Sequence, residues 1–224
     1  MHRFHFITLF PDACDAYLAA SILGRARTHK KIQVTYQNPR DFVTNKWGKV
    51  DERPYGGGPG MVMTALPVVK AVKKALARRK QAKIAVVWFS PSGTEFTNAE
   101  ADKLLKFDDV VLVCGRYEGI DERAKKILKS FGTVKNYAIG KATYTGAEVP
   151  AMAVVDAMTR RIPGVLGKDE SVEERRIASS ELYTRPETIE WEGKKHRVPK
   201  VLLTGNHKNI DAWKQTKPSR RTQS

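Results

Sequence analysis

Two cysteines, Cys14 and Cys114, are all that this 224-residue chain contains. They stand far apart and in no C-x-x-C pair, which excludes a disulfide framework and a zinc ribbon and is expected of reduced core thiols in an intracellular protein. No stretch reaches the roughly 20 apolar residues of a spanning helix. The apolar start, Phe4 to Phe10, is stopped by Pro11-Asp12 and is too short for a signal-peptide core. A cytoplasmic protein with no membrane partner is expected. The five histidines, His2, His5, His29, His196 and His207, fall in no metal-ligand spacing. Also missing are G-x-x-x-x-G-K-[ST] and a G-x-G-x-x-G between strand and helix, so neither a P-loop nor a dinucleotide fingerprint is present. Acidic residues are scarce: 24 Asp and Glu face 40 Lys and Arg, a formal charge of +16. At 41% hydrophobic residues the chain can bury a core, which excludes a disordered basic tail. The charge then selects an anionic partner: nucleic acid, acidic lipid or a phosphorylated metabolite.

What is present is an alternation of short apolar runs with longer amphipathic stretches, the pattern of an α/β fold with a parallel sheet covered on both faces. Strands are expected at 4–10, 31–36, 83–89, 110–114 and 133–139. Helices are expected from Pro11 through Leu23 with Asp12 as cap, over 64–80, over 150–160 and around 209–214. From Lys70 to Lys83 the chain carries seven basic residues and no acidic one, either a solvated helix face or an edge that contacts phosphates. In open α/β sheets ligands bind at the carboxyl ends of strands. That points to two loops, Ser90-Pro91-Ser92-Gly93 and Gly115-Arg116-Tyr117-Glu118-Gly119.

Two glycine concentrations stand out. Tyr55-Gly56-Gly57-Gly58-Pro59-Gly60 lets backbone approach a ligand closely, although such a cluster is equally a structural loop. Ile139-Gly140-Lys141-Ala142-Thr143-Tyr144-Thr145-Gly146 lies between a strand and a helix, where backbone groups could hold a nucleoside-sized ligand against Tyr144. A plain crossover loop has the same periodicity.

Three long runs carry a resemblance. Asp51-Glu52-Arg53-Pro54-Tyr55-Gly56-Gly57-Gly58-Pro59-Gly60-Met61, Val113 to Arg123, and Ile162-Pro163-Gly164-Val165-Leu166-Gly167-Lys168 resemble the bacterial tRNA (guanine-N1)-methyltransferase family, the TrmD type. Thr8-Leu9-Phe10-Pro11 and Tyr183-Thr184-Arg185-Pro186 fit the same pattern, so the resemblance runs from about residue 4 to about 213.

The resemblance implies a SPOUT-type α/β fold with a deep C-terminal trefoil knot, an exception to the rule against threaded chains. It also implies a homodimer whose active sites are shared between subunits, and transfer of a methyl group from S-adenosylmethionine to N1 of the guanine 3′ to the tRNA anticodon. By matching motif, the cofactor would be held by Ser90, Pro91, Gly115, Tyr117, Glu118, Ile139, Gly140, Lys141, Ala142, Thr143, Tyr144, Gly146 and Pro150. Gly60, Lys168 and Ser171 would contact tRNA. Arg160 would stabilise charge developing at guanine O6, with Arg161 a surface arginine. Mg²⁺ dependence is implied without identifiable ligands.

Guanine N1 carries a proton, so the reaction needs a base. Where the family places its catalytic aspartate this chain has Arg175, which cannot accept a proton at neutral pH. Glu174 is the candidate substitute, with Glu173 and Glu181 as alternatives; the remaining alternative is a tRNA-binding protein with impaired methyl transfer. The expected organisation is a knotted catalytic domain at 1–161, a linker at 162–186 and a short, truncated helical tRNA-binding unit at 187–224. In that last unit, Lys214, Lys217, Arg220 and Arg221 make a basic tail.

Overall fold

In the computed structural model, residues 1–79, 81–166 and 179–216 are described. The chain divides into two compact units, residues 1–165 and 166–224. Unit one is built on a five-stranded sheet: β1 (His2–Ile7), β2 (Ile32–Gln37), β5 (Ile84–Glu95), β6 (Asp109–Val113) and β7 (Thr133–Ala138), in the order β2-β1-β6-β5-β7. Every pairing in it is parallel, as the near-continuous apolar runs require.

Side chains alternate across the sheet, and each face has its own helices. Phe4, Phe6, Val110 and Leu112 face α1 (Pro11–Leu18), α2 (Ser21–Thr28), α4 (Asn98–Leu104) and α6 (Glu148–Thr159). Ile7, Val86, Val111 and Val113 face α3 (Ala65–Ala75) and α5 (Glu122–Leu128). Each fully buried Leu or Phe contributes about 1.5–3 kcal/mol to this three-layer packing. Cys14 and Cys114 are free thiols in the first layer, and burial pushes the Cys14 thiol up to about 12.

Several elements differ from the sequence reading. The helix expected from Pro11 through Leu23 is two helices, because Ser21 takes a left-handed φ of 47° and restarts the chain in a new direction. Phe10, not Asp12, is the N-cap residue, and Pro11 supplies the preset φ of the first turn. The third long strand does not end at Phe89. Its ladder with β7 resumes at Thr94, leaving Ser90–Gly93 as an irregularity between the two paired stretches. Tyr137 is opposite both Phe89 and Thr94, and a Cβ on Gly93 would lie 2.5 Å from the Tyr137 carbonyl carbon, so only glycine fits.

The glycine-rich segment 55–60 joins β3 (Asp51–Glu52) to β4 (Val62–Met63), a two-stranded antiparallel pair. Unit two contains a hairpin, β8 (Thr188–Trp191) with β9 (Lys194–Arg197), then a 3₁₀ turn at Lys200–Leu203 and α7 (His207–Thr216). Asn206 caps α7 through its Oδ1, which accepts from the Asn209 amide at 3.3 Å. Tyr183 lies against Trp213 with ring centroids 6.2 Å apart.

Candidate functional site

The carboxyl ends of β6, β5 and β7 are neighbours, since Trp88 pairs with Val113 and Asn136. The residues after them are therefore brought together: Ser90 and Pro91 after the first stretch of β5, Gly115 to Gly119 after β6, and Ile139 to Gly146 after β7. Ser90 Oγ donates to Asn136 Oδ1 at 3.1 Å across the β5–β7 pair. Arg116 bridges Gly146, and the Ala147 amide donates to the Gly115 carbonyl at 3.0 Å. A Cβ on Gly146 would collide with the Arg116 guanidinium. Tyr144 OH donates to the Ile139 carbonyl at 3.2 Å, closing its loop while Lys141 to Thr145 stay exposed. Pro150 is buried in the first turn of α6.

The glycine-rich segment joins the same loops. Val62 bridges Tyr117, the Glu118 amide donates to the Met61 carbonyl at 3.0 Å, and the Met63 amide donates to the Gly119 carbonyl at 2.9 Å. Gly60 backs onto the Glu118 side chain. Tyr117 holds a left-handed φ of 59°, a strained backbone of the kind that collects at binding loops. A groove of about 600 Å³ lies beside this junction, lined by Arg53, Pro54, Gly57, Gly58, Gly60 and Met61.

Beneath the loops lies a network that the sequence reading did not single out. Glu148 is 3% exposed. Its Oε1 accepts from Thr8 Oγ1 at 2.8 Å, and its Oε2 stands 2.9 Å from Arg116 Nε. That pair lacks linear N–H···O geometry, so neither atom has a well-formed hydrogen bond. The Arg116 guanidinium also lies 4.4 Å from the centre of the Phe10 ring. The four residues come from the Thr8-Leu9-Phe10-Pro11 run, the Gly115-Arg116-Tyr117 run and the Gly146-Ala147-Glu148 run. The available signal was a glutamate two residues after Gly146, opening a mostly apolar helix.

Arg160 and Arg161 part company at the end of α6. Arg161 is not a free surface arginine: it donates from Nε and Nη2 to both Asp102 oxygens at 2.7 Å, with a side chain only 8% exposed. Arg160 is the half-buried C-cap residue, and no ion pair to it occurs among the described residues. The 12-residue helix spans about 18 Å, so Arg160 is a helix length from the Gly146 end. The chain's own fold places the candidate catalytic arginine at the far end of α6 from the Gly146 loop. Lys168, Ser171, Glu173, Glu174 and Arg175 lie outside the described residues; Glu181, half-exposed, accepts from Tyr183 OH at 3.2 Å.

The strand-end residues fit a nucleoside cofactor: exposed backbone at 141–145, an aromatic ring at Tyr144 and two loops closed on each other by backbone bonds. Among the described residues no three His, Cys, Asp or Glu side chains converge on a metal position. No helix among them is long and apolar enough to cross a membrane.

Fold and site together define a parallel α/β protein whose candidate ligand site is assembled from glycine-rich loops at the carboxyl edge of its sheet. The chain belongs to the tRNA (Guanine-1)-methyltransferase TrmD family, whose model matches residues 2–224. It is 40% identical over 224 residues to the tRNA (guanine-N(1)-)-methyltransferase of Clostridioides difficile (strain 630), covering 98% of this chain and 94% of that one. The protein of the same name from Moorella thermoacetica is 38% identical over 98% of this chain and 86% of its own. That of Actinobacillus succinogenes is 41% identical over 96% and 86%. This is the family that the three long runs resemble.

Proposed function

We propose that the chain methylates N1 of the guanine 3′ to the tRNA anticodon, using S-adenosylmethionine. The observation that carries this reading is the convergence of 115–119, 139–146 and the glycine-rich 55–60 segment on one edge of the sheet, in a member of this family. S-adenosylmethionine, held by the loops at Ser90–Pro91, Gly115–Glu118 and Ile139–Gly146, supplies a methyl already activated as a sulfonium. The chain's own residues then orient the guanine, accept the N1 proton and stabilise the charge that grows at O6. Arg160 takes the last role, Gly60, Lys168 and Ser171 contact the tRNA, and Glu174 is the proposed base. No step is assigned to Mg²⁺. The trefoil threading belongs to the same reading.

A homodimer follows from the position of Arg160. A second copy would supply the arginine that its own loops lack, which makes the site a shared one. Phe10, Tyr17 and Val149 on the α1/α6 layer remain exposed apolar surface that such a copy would cover. The proposed compartment is the cytoplasm.

The test is methyl transfer from labelled cofactor, with Mg²⁺, to tRNA transcripts carrying guanine or adenine at the target position. Label in the guanine transcript alone is expected. No label in either, or equal label in both, would sink the reading. Glu174→Gln is expected to lower turnover at least a hundredfold; undiminished turnover would remove it as the base.

A further inference from the structure

The β8–β9 hairpin is a two-stranded ribbon with seven of its eight strand residues exposed. Glu192 and Gly193 take φ of 50° and 72°, the two left-handed positions of a type I′ turn, so the ribbon is a built element with a fixed register. An isolated ribbon of this length is marginally stable in water. Its register sorts the side chains. Ile189 opposes His196 and Trp191 opposes Lys194 on one face; Thr188 opposes Arg197 and Glu190 opposes Lys195 on the other. The only strand carboxylate therefore sits across from a lysine on the second face, where opposite charges stabilise each other. The first face has no carboxylate at all. It presents Trp191, 68% exposed, and Ile189, 57% exposed, beside Lys194 and His196.

An uncovered indole beside a cationic side chain is how proteins hold unpaired nucleotides: the ring stacks on a base and the cation meets a flanking phosphate. The apolar area is one Trp and one Ile, too small to hold a membrane surface or a folded protein by itself. With +16 on the whole chain, charge complementarity selects an RNA strand. We propose that the Ile189/Trp191/Lys194/His196 face is a stacking platform for an unpaired base of the tRNA substrate. The proposal rests on the tRNA reading above and adds a contact distinct from the strand-end loops.

The test uses the full chain and a tRNA transcript, with affinity measured by fluorescence anisotropy across a salt series and cofactor binding measured by calorimetry. Trp191→Ala is expected to weaken tRNA binding about 5- to 100-fold with an unchanged salt slope, because stacking releases no counterions. Trp191→Phe should retain most of the affinity. Lys194→Gln should instead flatten the slope of log affinity against log salt by about 0.7–0.9. Cofactor affinity equal to that of the unsubstituted chain verifies that each variant is folded. Binding by Trp191→Ala within twofold of the unsubstituted chain would overturn the platform while leaving the tRNA reading intact. A changed sedimentation coefficient with unchanged tRNA affinity would overturn it in favour of a second copy of the chain. Failure of the unsubstituted chain to bind tRNA would overturn both.

Discussion

Asp109 illustrates how one side chain can decide the stability of an edge of the sheet. It is fully buried at the start of β6, accepts from Arg79 at 2.8–3.0 Å and accepts from His5 Nε2 at 2.8 Å. Since an ionised carboxylate only accepts, neutral His5 must donate from Nε2 and accept at Nδ1 a hydrogen bond from the Thr35 hydroxyl, at 2.7 Å. Burial lowers the His5 pKa below its ordinary 6.5, outweighing Asp109 beside it. Burial raises Asp109, but hydrogen bonds from Arg79 and His5 overcome this and leave it below its ordinary 3.8. Both shifts act in one direction: the unfolded chain binds more protons, so stability is lost as pH falls. His5 contributes its loss from about pH 6.5 downward, and Asp109 adds its own below about pH 4. Asp109→Ala is expected to cost about 3 kcal/mol, the low end for a broken buried pair because Arg79 keeps access to water. Urea unfolding at pH 7.5 and 5.5 checks both points: the parent chain should be less stable at the lower pH, and the variant, without the carboxylate that holds the His5 pKa up, should show a larger difference. A smaller difference in the variant would contradict the assignment.

Among the elements, β5 shows how backbone geometry sets a binding loop. The register break between Phe89 and Thr94 removes Ser90 to Gly93 from the ladder, and Gly93 lets the strand return close to Tyr137. Gly93→Val is therefore expected to push β5 off β7, with a cost of about 1–3 kcal/mol from overpacking and weaker cofactor binding as Ser90 and Pro91 move. Chemical denaturation and calorimetric titration with S-adenosylmethionine measure the two effects; unchanged cofactor affinity would detach the bulge from the site. This element also marks what sequence could and could not show. Apolar runs made the central strands β1 and β6 legible to within three residues at either end, because a doubly covered parallel strand is mostly apolar; the edge strands β2 and β7, which mix Gln33, Thr35, Lys135 and Asn136 with apolar residues, were legible to within one. The bulge was invisible because it depends on the distance to a different strand. The β8–β9 hairpin was missed for another reason: Thr188 to Arg197 is mostly charged, and Glu-Gly is a weaker turn signal than Asn-Gly or Asp-Gly.

For the whole molecule, the strand-end loops were legible from the ends of apolar runs, and their mutual contacts were not. Nothing in the spacing of residues 60, 116 and 146 places them together; the parallel crossovers do. The separation of Arg160 from those loops along α6 likewise appears only in three dimensions, and it yields a complementation test. In the proposed dimer, Arg160→Ala and Gly146→Val, each expected to be inactive alone, disable different components of a shared site. Equal mixing makes half the dimers mixed, each with one intact site of two, so about a quarter of the activity should return. Circular dichroism of each variant and sedimentation of the mixture establish that folded mixed dimers are present. No recovered activity in such a mixture would place Arg160 in its own protomer's site.

The strand order has a consequence for how the protein is made. β1 pairs with β2 on one side, but its other edge waits for β6, where Phe4 meets Val110. At roughly 5–20 residues per second of synthesis, the roughly 75 residues from the end of β2 to the end of β6 keep one edge of an apolar strand open for about 4–15 s after the first is complete. Helices α3 and α4 emerge in that interval with no finished sheet to cover. A nascent chain of this protein therefore passes through a period in which chaperone protection matters more than it does for the mature fold, and a stall before residue 113 leaves that strand edge exposed.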